Sequence, residues 1–67
     1  MALSARNQLP GTVKSVVLGA VMAEIVMDVA GHELVSVITR RSAEALDVKA
    51  GDDITAVIKA TEVLLLK

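Results

Sequence analysis

Val21-Met22-Ala23-Glu24-Ile25-Val26-Met27-Asp28-Val29 alternates with a period of two, the pattern of a β-strand with one face buried. Val21, Ala23, Ile25, Met27 and Val29 form a clean apolar face. Met22, Glu24, Val26 and Asp28 form a half-apolar opposite face that suits a subunit contact. Ala30-Gly31-His32 then supplies a hairpin turn, and Glu33 to Thr39, β-branched at Val35, Val37 and Ile38, predicts a partner strand. Working back toward the start, Leu9, Val13 and Val17 share one face of an earlier strand, with Thr12 and Lys14 elsewhere. Leu18-Gly19-Ala20 interrupts that run as a turn or bulge.

Working forward, the period of two stops at Thr39. Thr39 can cap a short helix with a body from Arg40 to Leu46, its Ala43 and Leu46 tucked inward. Lys49-Ala50-Gly51-Asp52 predicts a turn, and strands follow at Ile54–Lys59 and Val63–Leu66. Three strands, a short helix and two strands is the order of an all-β, OB-like five-stranded Greek-key barrel. Residues 1–67 form a single domain with no internal repeat.

Composition sets the next constraint. A chain of 67 residues encloses a small core, and such cores usually need a staple. There is no Cys for a disulfide or thiolate metal site, and one His does not build a metal cage. Yet 54% of the residues are hydrophobic, with no Phe, Trp or Tyr, so the apolar excess must be covered. Self-association is the remaining staple. A membrane is not the expected cover, because no stretch approaches the roughly 18–20 uncharged apolar residues of a span, with Lys14, Glu24, Asp28 and Glu33 breaking up the most apolar region. Arg6 is followed by no apolar core of a signal peptide, so a cytoplasmic location is expected. A net charge of −1 and the lack of aromatic platforms argue against nucleic acid, even though OB barrels often bind it. A compact anion site needs only one or two well-placed cations and stays open.

Few residues could carry chemistry. In Ser4-Ala5-Arg6-Asn7-Gln8, Arg6 offers a planar fork of donors suited to an oxyanion, or the stretch is a solvated arm. Lys59-Ala60-Thr61 sits between the last two predicted strands, where a Lys also serves to blunt an edge. Thr39 and Ser42 cap the helix, or add hydroxyl donors for an anion at its start. No catalytic constellation is present. His32 lies in a predicted turn, Asp52 and Asp53 look like turn formers, and Glu44 and Asp47 lie on a solvated helix face. Neither a P-loop nor a dinucleotide fingerprint occurs.

Ser4-Ala5-Arg6-Asn7-Gln8-Leu9 followed by Gly11-Thr12-Val13 resembles the opening of the molbindins, the small molybdate-binding Mop proteins of TOBE type. The resemblance continues through Ile38-Thr39 with Ser42, Val48-Lys49-Ala50-Gly51-Asp52, and Thr55-Ala56-Val57-Ile58-Lys59-Ala60-Thr61, and so covers essentially the whole chain. It implies an OB-like barrel, strand exchange between subunits, and a homohexamer built as a trimer of dimers. It implies molybdate or tungstate as ligand, held at subunit interfaces by Ser4, Arg6, Lys59 and the backbone around Ala60 and Thr61. Thr39 and Ser42 would come from the neighbouring subunit. A second class of site near the three-fold axis is also implied, with no residues assigned to it. Arg40 and Arg41 depart from the family pattern by adding positive charge at the helix start. The expectation is a non-enzymatic cytoplasmic oxyanion binder for storage or homeostasis, with no organic cofactor. The rivals are a purely structural β oligomer and a general binder of sulfate or phosphate.

Overall fold

The computed structural model describes residues 4–67. Its elements run β1 (Asn7–Leu18), β2 (Met22–Val29), β3 (His32–Thr39), α1 (Arg40–Leu46), β4 (Asp53–Ile58) and a 3-10 turn (Ala60–Glu62). The four strands form one antiparallel sheet in the order β3-β2-β1-β4. The long strand β1 serves both sides: Asn7 to Thr12 pair with β4, and Thr12 to Leu18 pair with β2. Gly11 permits the close crossing this requires. A Cβ there would run into the Asp28 carbonyl and sit 2.9 Å from side-chain carbons of both Met27 and Val29.

The period-two reading of β2 holds for Ala23, Ile25 and Met27, which are buried, and for Val29, which is partly so, whereas Val21, expected on the same face, precedes the strand and is 71% exposed. Ala30 (φ 52°) and Gly31 (φ 85°) form the two-residue turn, both in the left-handed region that a type I′ hairpin requires, and His32 opens β3. In β1 the reading is corrected. A bulge between Val13 and Ser15 inserts one residue against β2 and reverses the inward face. Val13 is buried and Val16 packs on the core, whereas Val17 is 60% exposed rather than sharing Val13's face.

Thr39 caps α1 as expected, its Oγ1 accepting from the Ser42 amide at 3.1 Å. Asp47 ends the helix in the left-handed region (φ 53°). Ala43 packs on Val13, Ala23 and Ile25. Leu46, expected inside, is 64% exposed, because a helix of only two turns brings one side of its middle to the sheet. The 49–52 turn is closed by Asp52, whose carboxylate accepts from the Lys49 amide at 2.9 Å, and is tied to β1 by Gly51 N–H to Val13 C=O at 2.8 Å.

The largest departure concerns closure. The antiparallel sheet and single short helix agree with expectation, but Val63–Leu66 forms no strand within the described chain, and the sheet is open between β3 and β4. Leu64, Leu65 and Leu66 are each more than 90% exposed. The reason is one of partners: a fifth strand needs an edge to pair with, and here the segment pairs with neither of the edges that β3 and β4 leave free. Those edges flank an apolar groove lined by Met27, Leu34, Ile38, Val48, Ile54 and Ile58. No helix among the described residues is long and apolar enough to cross a membrane.

Candidate functional site

The β1–β4 ladder ends at the pair Asn7 and Ile58. Arg6 lies one residue beyond that rung on one strand and Lys59 one residue beyond it on the other, so the two cations leave the ladder at the same end. Ser4, Arg6, Lys59, Ala60 and Thr61 are all exposed. Lys59 precedes the 3-10 turn in extended conformation (φ −62°, ψ 137°), and the first N–H bonded back within the turn is that of Glu62, to the Lys59 carbonyl at 2.9 Å. The Ala60 and Thr61 amides therefore sit at the unsatisfied start of a turn, directly after Lys59. Among the described residues the ion pairs are Lys14–Glu33, Arg40–Glu44 and Lys49–Asp47. Neither Arg6 nor Lys59 takes part in one. Two like charges at one end of a ladder repel in the absence of a counter-ion, and a dianion bound between them would offset that repulsion with two attractions.

Thr39 and Ser42 lie elsewhere. Thr39 pairs with Met22 at the start of β2, close to where β1 ends, whereas Asn7 begins β1. The two groups are separated by a strand of twelve residues, about 36 Å along its path. No hydrogen bond or ion pair among the described residues joins them. Thr39 Oγ1 accepts from the Ser42 amide and donates to Ser42 Oγ at 2.8 Å. Its donor is thus used within the helix cap, which leaves the Ser42 hydroxyl hydrogen as the one directed elsewhere. Arg40 is engaged, with Nη1 donating to the Gly19 carbonyl at 3.3 Å and Nε 3.4 Å from Glu44. Arg41 is exposed and joins no ion pair among the described residues.

The sequence-predicted residues therefore fall into two clusters: Ser4, Arg6, Lys59, Ala60 and Thr61 at one end of β1, Thr39 and Ser42 at the other. Sequence reasoning assigned no role to Asn7 or Gln8. Asn7 Nδ2 donates to the Ile58 carbonyl at 3.2 Å, and Gln8 Nε2 donates to the Ala5 carbonyl at 3.2 Å. Two adjacent amide side chains just ahead of an apolar run were the available signal. Among the described residues no group of three His, Cys, Asp or Glu could hold a metal ion.

Comparison with known proteins bears on what these clusters do. The family model described as TOBE domain matches residues 3–65. The chain is 51% identical over 67 residues to molybdenum-pterin-binding protein 3 of Clostridium pasteurianum, covering 98% of each. The solved structure of a molybdate binding protein from Sporomusa ovata is 54% identical, covers both chains completely and superposes with a TM-score of 0.96. The cytoplasmic molybdate-binding protein ModG, with molybdate bound, is 43% identical and superposes with a TM-score of 0.84, over 90% of this chain and 43% of ModG.

Proposed function

The chain belongs to the TOBE-domain family, among its small molbindin members, and from that membership we propose that it binds molybdate, or tungstate, at a site completed between copies of the chain. The observation that carries the reading is the pair of cations, Arg6 and Lys59, just beyond the last rung at the same end of the β1–β4 ladder, with no ion-pair partner among the described residues. A tetrahedral dianion between them meets two charge-assisted donors, the Thr61 and Ser4 hydroxyls, and the amides of Ala60 and Thr61. Hydrogen bonds to an ionised acceptor are roughly twice as strong as neutral ones. Ser42, with Thr39 behind it, approaches from a second copy, since one chain holds these residues at the other end of β1.

The open sheet supports the same assembly. The Val63–Leu66 segment of one copy is suited to the apolar groove between β3 and β4 of another, supplying the fifth strand by exchange, and a homohexamer built as a trimer of dimers follows the family pattern. The ligand is the bare oxyanion. The chain has no aromatic residue on which a pterin ring could stack. The role is binding without catalysis, for storage or homeostasis in the cytoplasm.

Calorimetry is the direct test. Molybdate and tungstate should bind saturably to the assembled protein, sulfate should compete weakly because its smaller tetrahedron stretches every contact, and single-stranded oligonucleotides should not bind at physiological salt. Equal affinity for sulfate would favour a general oxyanion binder, and no binding of any oxyanion would leave a structural oligomer.

A further inference from the structure

The two cations of the proposed site have different supports. Lys59 follows directly from β4, whose backbone is held by its ladder with β1. Arg6 lies beyond the last rung, and its guanidinium makes no hydrogen bond or ion pair among the described residues. An exposed Arg on an unpaired arm samples many conformers, each of which must be given up when an anion binds. Two side-chain hydrogen bonds act on that arm. Gln8 Nε2 reaches back three residues to the Ala5 carbonyl and folds the arm against its own strand. Asn7 Nδ2 crosses to the Ile58 carbonyl, 51 residues away in sequence and directly before Lys59. Asn7 and Ala5 are half-buried, whereas the residues assigned to the anion are exposed.

The geometry points to Asn7, with Gln8 behind it, as a positioning residue of the oxyanion site: its amide joins the two backbone segments from which Arg6 and Lys59 project. This inference rests on the oxyanion reading above. The chemistry is specific to a short amide. A carboxylate at position 7 cannot donate to the Ile58 carbonyl and would set negative charge beside the anion, and an aliphatic residue offers no donor. Asn7 touches no ligand in this role; it holds Arg6 where the ligand needs it.

The test is a double-mutant cycle on the intact assembly, with molybdate titrated into wild type, Asn7→Ala, Arg6→Lys and the double variant. Asn7→Ala should weaken binding about three- to tenfold, the scale of one lost hydrogen bond. In the Arg6→Lys background, where the planar fork is gone, the same change should cost less than twofold. Gln8→Ala, a change at an exposed side chain that removes the bond to Ala5, should weaken binding by a smaller factor. Backbone ¹⁵N relaxation of the ligand-free protein should show increased mobility at Ala5 and Arg6 in Asn7→Ala, with β2 and β3 unchanged. An equal Asn7→Ala penalty in both backgrounds, or mobility spread through β4, would assign Asn7 to strand pairing and overturn the proposal. Unchanged affinity would overturn it as well. Loss of molybdate binding by the wild type would instead remove the oxyanion reading on which it stands.

Discussion

The half of the molecule made of β2, β3, α1 and the second part of β1 differs from the half made of β4 and the segment after it. The first half supplies the buried side chains: Val13, Ala23, Ile25, Met27 and Ala43 are each no more than 3% exposed, although Val17, Val35, Val37 and Leu46 on its other faces stay more than half exposed. The second half buries none of its large apolar side chains, with Val57 and Val63 near half exposed and Leu64, Leu65 and Leu66 almost wholly so. The first, finished half holds the core, and the second is paired to it through the opening part of β1, with Ile54 packed against that core. Lys59 follows β4 and Arg6 precedes the part of β1 that pairs with it, whereas Thr39 and Ser42 stand on the finished half, so the proposed assembly would join the two kinds of surface at the site.

Deleting residues 63–67 should break this contrast most severely. If the segment supplies the fifth strand of another copy, roughly half of its apolar side chains turn inward, and losing two leucines from a core costs about 3–6 kcal/mol per chain. Native mass spectrometry should then show loss of the hexamer and a large fall in melting temperature. Ile25→Ala provides the counterpart in the self-covered half: a destabilisation of about 2–5 kcal/mol with the assembly mass retained. A full-size assembly after the deletion would show that the exposed leucines are not the joining element.

Binding-site variants sharpen the comparison across the seam. Arg6→Ala or Lys59→Ala should weaken molybdate binding by about 2–5 kcal/mol, each removing a cation from a partly desolvated dianion. Ser42→Ala should cost about 1.5–3 kcal/mol, one hydrogen bond to a charged group. Mixing Arg6→Ala chains with Ser42→Ala chains restores some complete ligand sets only if the two residues act from different copies. Stoichiometry at a concentration that leaves each variant largely empty should therefore recover in part. No recovery, with subunit mixing verified by mass, would place both residues' effects within one chain or reduce Ser42 to a helix cap.

The smallest expected effect belongs entirely to the finished half. Ala30 holds φ 52° in a two-residue turn before Gly31, a conformation that Asn adopts more readily than Ala. Ala30→Asn should stabilise by about 0.5–1 kcal/mol, read as a rise of a few degrees in melting temperature, with molybdate affinity unchanged. A lowered melting temperature would mean that the turn is not the source of strain in this hairpin.

Much of the finished half was legible from local pattern. The alternation of Val21–Val29, the Ala30-Gly31 turn and the Thr39 cap each rest on interactions between neighbours in sequence. Val17 and Leu46 were misplaced, because a bulge opposite β2 and the approach angle of a short helix are settled by packing. The candidate site was legible mainly through resemblance. Composition alone left Arg6 equally explicable as part of a solvated arm and favoured Thr39 and Ser42 as caps, and no spacing rule connects position 6 with position 59.

The sequence by itself determined four of the five strands read from it and the short helix, the absence of metal-cage and stacking residues, and an apolar excess too large for one small core. These follow from side-chain chemistry and from periods of two and 3.6, which need no partner to be expressed. Only the tertiary structure decided which face of β1 turns inward, that Arg6 and Lys59 leave the β1–β4 ladder at the same end, just beyond the Asn7–Ile58 pair, and that Val63–Leu66 finds no edge in its own chain. Those outcomes depend on contacts between segments far apart in sequence, where the close approach at Gly11 and the register of β1 against two different strands set which groups can touch.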